Sequence, residues 1–378
     1  MNRRQRLLAT FSGKPVDRPP VSFYEIGSFK YDPDDPDEFN VHNDPSWREL
    51  LELAEEKTDI IRLIGAKNND LVNESQKKFL KVEKWREGDS KYVKNTVSIC
   101  GREITELMRR DTDTDTVWKL EHYIKNLDDL KAFLELPFEI FDYAYDCDAL
   151  LASEKELGDS GIAGFDTADP LCRAADLFSM EDFTIFAMTE KELFHQLLQK
   201  FSEIIYPAVE KAVDQCPGRL WRIYGPEYAT EPYLPPALFD EYAAAYDKPI
   251  IDMIHKGNGF ARIHAHGRLK NVLPFIAEMG ADGLDPIEPP IQGDVELEYV
   301  REKYGENLVL FGNLEITDIE NLESQEFEDK VHTALQQGTS GNGRGFVLMP
   351  SASPYGRIIT NRTMANYQTI IRFVENWN

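Results

Sequence analysis

The sequence is poor in cysteine, poor in basic residues and free of any long apolar run. Its four cysteines are scattered among 378 residues, without the paired spacing of a disulfide framework or a zinc ribbon. No apolar run approaches the length that a membrane span requires. Forty-two basic residues against 67 acidic ones leave a net charge of −25, which argues against nucleic acid and anionic membrane surfaces as partners. Residues 1–8 are basic and lack an apolar signal region, so we expect a reduced, cytoplasmic protein.

What the sequence does have is a regular alternation of apolar, strand-like segments and stretches with helical periodicity. The strand-like segments are residues 21–25, 59–64, 162–165, 220–225, 260–264, 283–287, 308–313 and 345–349. Eight strands that alternate with helices are the count of a (β/α)8 TIM barrel, and 42% hydrophobic residues suffice for its core. We therefore predict an α/β fold with a single TIM-barrel domain over residues 1–378.

The stretch of residues 77–120 departs from this alternation. Residues 79–85 and 91–97 alternate in character, and Gly88 and Asp89 between them are typical turn residues. We interpret the stretch as an antiparallel β-hairpin that is inserted over the mouth of the barrel, and not as a separate domain.

His264 and His266 come at the end of the fifth predicted strand. Side chains two residues apart in a strand point to the same face, and the chemistry of a TIM barrel gathers at the C-terminal ends of its strands. Two imidazoles on one face can hold a metal ion, with Glu288 after the next strand as a third ligand. Zinc accepts such a set, and so do other divalent metals. The alternative is that both rings hydrogen-bond to carboxylates or to a substrate and hold no metal.

Other polar residues lie at the ends of predicted strands or close to them. A carboxylate or a phenol in that position suits general acid–base catalysis, and the alternative role of the carboxylates is to cap the next helix. The predicted catalytic residues are Glu25, Glu227 and Tyr228. The predicted substrate-binding residues are Tyr24, Arg173, Asn313, Ser351 and Ser353, of which Arg173 could pair with an anionic substrate.

Four segments resemble the uroporphyrinogen-decarboxylase-like proteins. They are residues 6–21, which begin Arg-Leu-Leu-Ala-Thr-Phe, and residues 280–290, 310–314 and 345–353. Their order and spacing extend over nearly the whole chain, and the resemblance implies a TIM barrel. The family contains two branches, which are the cofactor-free uroporphyrinogen decarboxylases and the zinc-containing, cobalamin-dependent methyltransferases similar to methylcobalamin:coenzyme M methyltransferase.

The chain departs from both branches at informative positions. The decarboxylases have an Arg-Gln-Ala-Gly-Arg loop after the first strand, whereas residues 24–30 here lack arginine and include Glu25, which would repel substrate carboxylates. The methyltransferases have His-x-Cys-Gly after the fifth strand and a further cysteine after the eighth. Here the first motif is His264-Ala265-His266-Gly267, and residues 351–353 contain no cysteine. The resemblance therefore implies His264 as a ligand and His266 as a replacement ligand, and it carries over no residue at the position of the family's third ligand.

From this resemblance we expect a metal-dependent methyltransferase that acts on a small substrate at the mouth of the barrel. The sequence has no corrinoid-binding segment of the Asp-x-His-x-x-Gly type, so the corrinoid would belong to a separate partner protein. The implied cofactor is zinc or another divalent metal, and the resemblance also implies a homodimer. Two alternatives stay open: a decarboxylase-like lyase without metal, and a ligand-binding relative without turnover.

Overall fold

The computed structural model describes residues 1–67, 74–141 and 143–377, with the side chain of Glu139 left aside. The strands are β1 (Ile60–Gly65), β2 (Leu80–Glu87), β3 (Ser90–Ile99), β4 (Arg102–Asp111), β5 (Val117–Glu121), β6 (Gly161–Ala168), β7 (Leu220–Tyr224), β8 (Phe260–His264), β9 (Gly283–Asp285), β10 (Val309–Leu314) and β11 (Phe346–Pro350). The helices are α1 (Arg3–Phe11), α2 (Arg48–Lys57), α3 (Leu127–Leu134), α4 (Cys147–Leu157), α5 (Pro170–Ala175), α6 (Met180–Thr189), α7 (Lys191–Gln215), α8 (Pro236–Phe239), α9 (Ala245–Lys256), α10 (Leu273–Glu278), α11 (Leu297–Tyr304), α12 (Ile316–Asn321), α13 (Ser324–Gly338) and α14 (Asn361–Glu375).

Seven strands form one parallel sheet in the order β1-β6-β7-β8-β9-β10-β11, and helices follow the strands along the chain. Every residue of β8 and of β11 is buried, as expected for a parallel sheet that is covered on both faces. This arrangement confirms the predicted α/β barrel architecture. The C-terminal ends of these strands form the end of the barrel that we call the mouth.

The predicted first strand, residues 21–25, is wrong. Only Val21 joins the sheet, through a parallel bridge to Leu348 and by accepting the backbone N–H of Asp59. A 3-10 helix, Tyr24–Ser28, follows, and Tyr24 has a φ of 52°, which is incompatible with a strand. The gap between β11 and β1 is therefore spanned by a single bridge, and an eighth strand does not close the barrel in the described residues.

The predicted insertion is a four-stranded antiparallel sheet, β2-β3-β4-β5, and thus larger than the hairpin that we expected. Its first turn lies at Gly88, and Trp85 stacks on Tyr92 across the first pair of strands. Thr114 forms an isolated bridge with Gly356, in the segment that follows β11. The assignment of residues 1–378 to one domain, with this sheet over the mouth, stays a prediction.

The interior of the barrel is filled by a small apolar cluster at the end opposite the mouth. Phe11 from α1 stacks on Phe260 with ring centroids 4.7 Å apart and also packs on Phe311. Because this cluster occupies the N-terminal ends of the strands, the polar groups of the barrel are left at the mouth. Among the described residues, we find no helix with the length and apolar character needed to span a lipid bilayer.

Candidate functional site at the mouth of the barrel

A buried ion pair between Arg262 on β8 and Asp285 on β9 lies at the mouth. The Nε and Nη2 atoms of Arg262 donate to the two carboxylate oxygens of Asp285, each at 2.5 Å. One of these oxygens also lies 3.0 Å from Nδ1 of His264. Burial would raise the pKa of Asp285, but the charges of Arg262 and His264 outweigh it and hold that pKa well below its usual range. The ionised carboxylate can only accept, so Nδ1 of His264 donates to it.

His266, two residues further along the chain, has its own carboxylate partner. Its Nδ1 lies 2.8 Å from Oε1 of Glu288, and Oε2 of Glu288 accepts the backbone N–H of Gly267 at 3.0 Å. Burial lowers the pKa of His266, but the hydrogen bond and the charge of Glu288 outweigh that effect, and the net pKa is raised. The rings of His264 and His266 meet edge to face with centroids 4.7 Å apart. The structure thus brings the three predicted metal-site residues together.

Arg222 on β7 organises a second network beside the first. Its Nε and Nη2 atoms donate to Asp166 on β6 at 2.8 and 2.7 Å. Its Nη1 donates to the hydroxyl of Tyr24, and its Nη2 donates to Glu25, each at 2.9 Å. The ring of Tyr24 lies 6.1 Å from that of His264, and burial raises the pKa of Tyr24, which keeps its hydroxyl protonated. Tyr24 and Glu25 therefore belong to this network, and their predicted roles in catalysis and substrate binding stay predictions.

Glu315, which directly follows β10, is a buried carboxyl group that changes charge near neutral pH. Its Oε2 accepts a hydrogen bond of 3.3 Å from the hydroxyl of Ser351, and that hydroxyl accepts the backbone N–H of Ile316. Its Oε1 is buried and has no hydrogen-bond partner in the described structure. Burial and the negative charge of Glu288 raise the pKa of Glu315 to about 7. Glu315 is therefore able to exchange a proton at physiological pH.

Glu227 and Tyr228 lie in a 3-10 turn just after β7. Oε2 of Glu227 accepts the backbone N–H of Gly225 at 3.0 Å, and burial raises the pKa of Tyr228. Two fully buried carboxyl groups, Asp169 and Asp247, are close enough to interact electrostatically with Glu227. Burial and the neighbouring negative charges raise the pKa of both aspartates well above the usual range. These raised pKa values favour the protonated form of both aspartates, and the catalytic roles of Glu227 and Tyr228 stay predictions.

The remaining predicted substrate-binding residues lie in three different surroundings. Asn313 is half-buried near the end of β10, beside a cavity of about 330 Å³ that Glu315 also lines. The hydroxyl of Ser353 is buried without a hydrogen-bond partner in the described residues. Arg173 lies on α5 and faces a cavity beneath the antiparallel sheet, which the histidine pair does not line. The roles of all three residues stay predictions.

The sequence analysis did not single out Arg222 and Arg262 or their partners Asp166 and Asp285. A usable signal was present, because Arg262 precedes His264 by two residues and therefore shares its face of the strand. A charged residue inside an apolar strand is expensive to bury without a partner, so it predicts an opposite charge on a neighbouring strand. Arg222 gives the same signal in β7.

The described residues do not present a ready metal site. No group of three or more histidine, cysteine, aspartate or glutamate side chains is arranged there to hold a metal ion. Both Nδ1 atoms are bonded to carboxylates, and both oxygens of Glu288 accept hydrogen bonds. Among these three residues, only the two Nε2 atoms are free to bind a metal, whereas a catalytic zinc site has three protein ligands. In this arrangement His264, His266 and Glu288 do not fit zinc, and their role as ligands stays a prediction.

Comparisons with known proteins agree with the fold. No curated protein sequence matches the chain. Among solved structures, a methyltransferase from Methanosarcina mazei is similar over 100% of this chain and 99% of its own, at 15% identity and a TM-score of 0.59. A D-psicose 3-epimerase covers 60% of this chain and 93% of its own at 10% identity, with a TM-score of 0.33 that is too low to support an argument.

The sequence itself provides the family. At 15% identity the likeness to the methyltransferase shows the fold alone. Residues 111–377, well over half of the chain, match the family described as Uroporphyrinogen decarboxylase (URO-D). The predicted resemblance is confirmed, and the chain belongs to the uroporphyrinogen decarboxylase family.

Proposed function

We propose that the chain is an enzyme that transfers a methyl group at the mouth of the barrel, with His264 and His266 beside the reacting atoms. The pair of imidazoles supports this proposal, since each Nδ1 is bonded to a carboxylate and the rings are 4.7 Å apart. A ring whose Nδ1–H donates to a carboxylate presents Nε2 as its basic nitrogen. A basic nitrogen in a buried cleft suits the removal of a proton from a hydroxyl or thiol acceptor.

The proposed reaction needs only the methyl donor, the acceptor and the side chains of the protein. The O–H or S–H bond of the acceptor breaks, and its proton moves to Nε2 of His264. The heteroatom forms a bond to the methyl carbon, while the bond between that carbon and the donor breaks and its electron pair leaves with the donor. Asp285 and Arg262 hold His264 in place, and Glu288 holds His266 beside it with the edge of one ring against the face of the other.

The identity of the methyl donor is a proposal that rests on the resemblance. The methyltransferase branch takes its methyl group from a corrinoid, and we propose that a separate corrinoid protein brings it to the mouth. A zinc ion takes part in none of the steps above, because the described residues present no three-ligand set. A cavity of about 190 Å³ lies next to the histidine pair; it is lined by Tyr24, Arg222 and Arg262 among others, not by the two histidines themselves, and it is large enough for a small substrate with one acceptor group.

The decarboxylase alternative is weaker, because the arginines at the mouth are already neutralised. Arg262 is paired with Asp285, and Arg222 is paired with Asp166 and Glu25. A polycarboxylate would find no unpaired guanidinium in either network, and it would have to displace Glu25 from Arg222 or a bidentate aspartate from either arginine to bind.

The experiment is an anaerobic assay that follows the absorbance of methylcobalamin, used as a free methyl donor, with 2-mercaptoethanol or phenol as the acceptor. It is run after chelation and again with added zinc. We expect acceptor-dependent demethylation by the natural protein. His264→Ala should lower kcat/KM by at least about 100-fold, the usual contribution of a general base.

His332→Ala is the matched control. His332 lies on α13 and its ring packs on Trp377, away from the mouth. This variant should keep the activity of the natural protein. The proposal is wrong if no demethylation occurs in either metal condition, or if His264→Ala and His332→Ala behave alike. Release of carbon dioxide from small acids without methyl transfer would favour the lyase instead.

A further inference from the structure

A second cavity, of about 450 Å³, lies between the antiparallel sheet and the outer helices α3, α5 and α7. None of the residues that line it belongs to the histidine networks at the mouth. Its volume falls within the range of about 300–1,000 Å³ that is typical of small-molecule sites. The cavity is therefore large enough for a ligand of its own, and its chemistry differs from that of the mouth.

Most of the wall is apolar and aromatic. Phe133, Phe141 and Phe201 contact one another in pairs, with ring centroids between 6.0 and 6.3 Å apart. The antiparallel sheet adds Leu80 from β2 and Val97 from β3 on the facing side. Rings that support one another form a rigid surface, on which a carbon chain or an aromatic ring can pack without reordering the protein.

Arg173 gives this apolar cavity a positive charge. The side chain of Arg173 makes no hydrogen bond or ion pair in the described structure, and its guanidinium lies 5.8 Å from the centroid of the Phe201 ring. By contrast, the other cation of the lining, Lys119, is neutralised by Glu106 at 2.8 Å and by Asp176 at 2.7 Å. An unpaired guanidinium beside apolar walls favours a planar anion that accepts two hydrogen bonds.

We propose that this cavity binds an amphipathic monocarboxylate, with the carboxylate on Arg173 and the apolar body against the phenylalanine rings. A single negative charge is favoured over a phosphate dianion, because Glu106 and Asp176 also line the cavity and would repel a second charge. The proposal is independent of methyl transfer, so either one can fail while the other stands.

Isothermal titration calorimetry with sodium octanoate tests the proposal. We expect octanoate to bind the full-length protein saturably, octanamide to bind more weakly because it lacks the charge, and acetate to bind more weakly because it lacks the apolar body. Arg173→Met should weaken octanoate binding by about tenfold or more, the usual loss for a charged hydrogen-bonded pair. Arg173→Lys, which keeps the charge but loses the planar fork, should fall between the two.

Two further variants test whether octanoate binding depends on this cavity or only on the number of positive charges on the protein. Arg48→Met removes one arginine from the exposed surface of α2, where Arg48 pairs with Glu52, and it should bind octanoate like the natural protein. Leu80→Trp fills the half-buried edge of the cavity and should reduce octanoate binding without changing any charge. Thermal unfolding of each variant shows whether it is folded.

The outcomes separate clearly. A failure of octanoate to bind the natural protein overturns the proposal, as does equal binding by octanoate and octanamide. Equal losses in Arg48→Met and Arg173→Met would show a general charge effect and also overturn it. If Arg173→Met is unfolded, Arg173→Lys and Leu80→Trp decide in its place, and unchanged binding in both of them contradicts the proposed site.

Discussion

Arg222 and Arg262 occupy equivalent positions on neighbouring strands, since they are paired in register between β7 and β8. Each makes a bidentate ion pair with an aspartate of an adjoining strand. The ion pair of Arg262 with Asp285 is enclosed, with side-chain exposures of 2% and 0%. Arg222, in contrast, also bonds to Glu25, whose side chain is 45% exposed.

The difference shows that one residue type at one level of the barrel has two roles. The enclosed pair is almost fully buried, and the third group that it holds is His264, so it positions that ring. The open network shares its guanidinium with Glu25, a residue that a ligand can reach. The buried partner of Arg262 therefore suits a residue that positions His264, whereas the exposed partner of Arg222 could be replaced by a carboxylate of a ligand.

The largest effect is expected from Asp285→Asn, which breaks the enclosed pair. Arg262 would remain buried without an opposite charge, so unfolding in urea should show a loss of about 3–5 kcal/mol in the free energy of unfolding. The pKa of Asp285 is lowered in the folded protein, so its contribution is present above the usual pKa of 3.8 and is lost only as the pH falls below it. The deficit should therefore be equal at pH 6 and pH 8.

The control for this variant is Asp252→Asn, which breaks an exposed pair with Lys248 on α9. It should change the free energy of unfolding by less than about 1 kcal/mol. Similar losses of unfolding free energy in Asp252→Asn and Asp285→Asn would contradict the expectation that the enclosed pair matters more to stability than an exposed one.

A smaller effect is expected from Asp166→Asn in the open network. Arg222 keeps its contacts with Glu25 and Tyr24, so the free energy of unfolding should fall by only about 1–3 kcal/mol. Urea unfolding of this variant and of Asp285→Asn in the same buffer measures the comparison directly. A loss in Asp166→Asn as large as that in Asp285→Asn would break the distinction between the two networks.

The smallest effect on stability is expected from Glu25→Gln. Its side chain is 45% exposed and the bidentate partner of Arg222 remains, so the loss should be about 0–1 kcal/mol. Thermal unfolding checks this value, and the methylcobalamin assay shows in parallel whether activity changes. A loss of stability above 2 kcal/mol would mean that Glu25 holds the fold and is not available to a ligand.

Part of the mouth was predictable from local patterns. The spacing of His264 and His266 places both rings on one strand face, and Glu288 was expected beside them. The sequence could not show that both Nδ1 atoms are bonded to carboxylates, because Asp285 and Glu288 lie some twenty residues further along the chain. Which oxygen meets which nitrogen depends on strand register, and register is a property of the assembled sheet.

Other differences have similar causes. The turn at Gly88 and Asp89 marked the hairpin of β2 and β3, whereas the extension of the sheet through β4 and β5 was not recognised. The prediction of a first strand was wrong because Tyr24 takes a left-handed backbone conformation, and that conformation cannot be predicted from a tyrosine in the sequence. Arg173 was predicted to bind an anion from its sequence neighbourhood alone, and the cavity that it faces is formed by helices and strands distant in the chain.

The sequence by itself determined the family, the alternation of strands with helices and the two histidines at a strand end, because these depend on periodicity and on motifs of a few adjacent residues. Only the tertiary structure decided which arginine is enclosed, which carboxyl groups have raised pKa values and which cavity holds an unpaired charge. Burial and the distance between charges decide those properties, and both arise only when segments far apart in the chain are packed together.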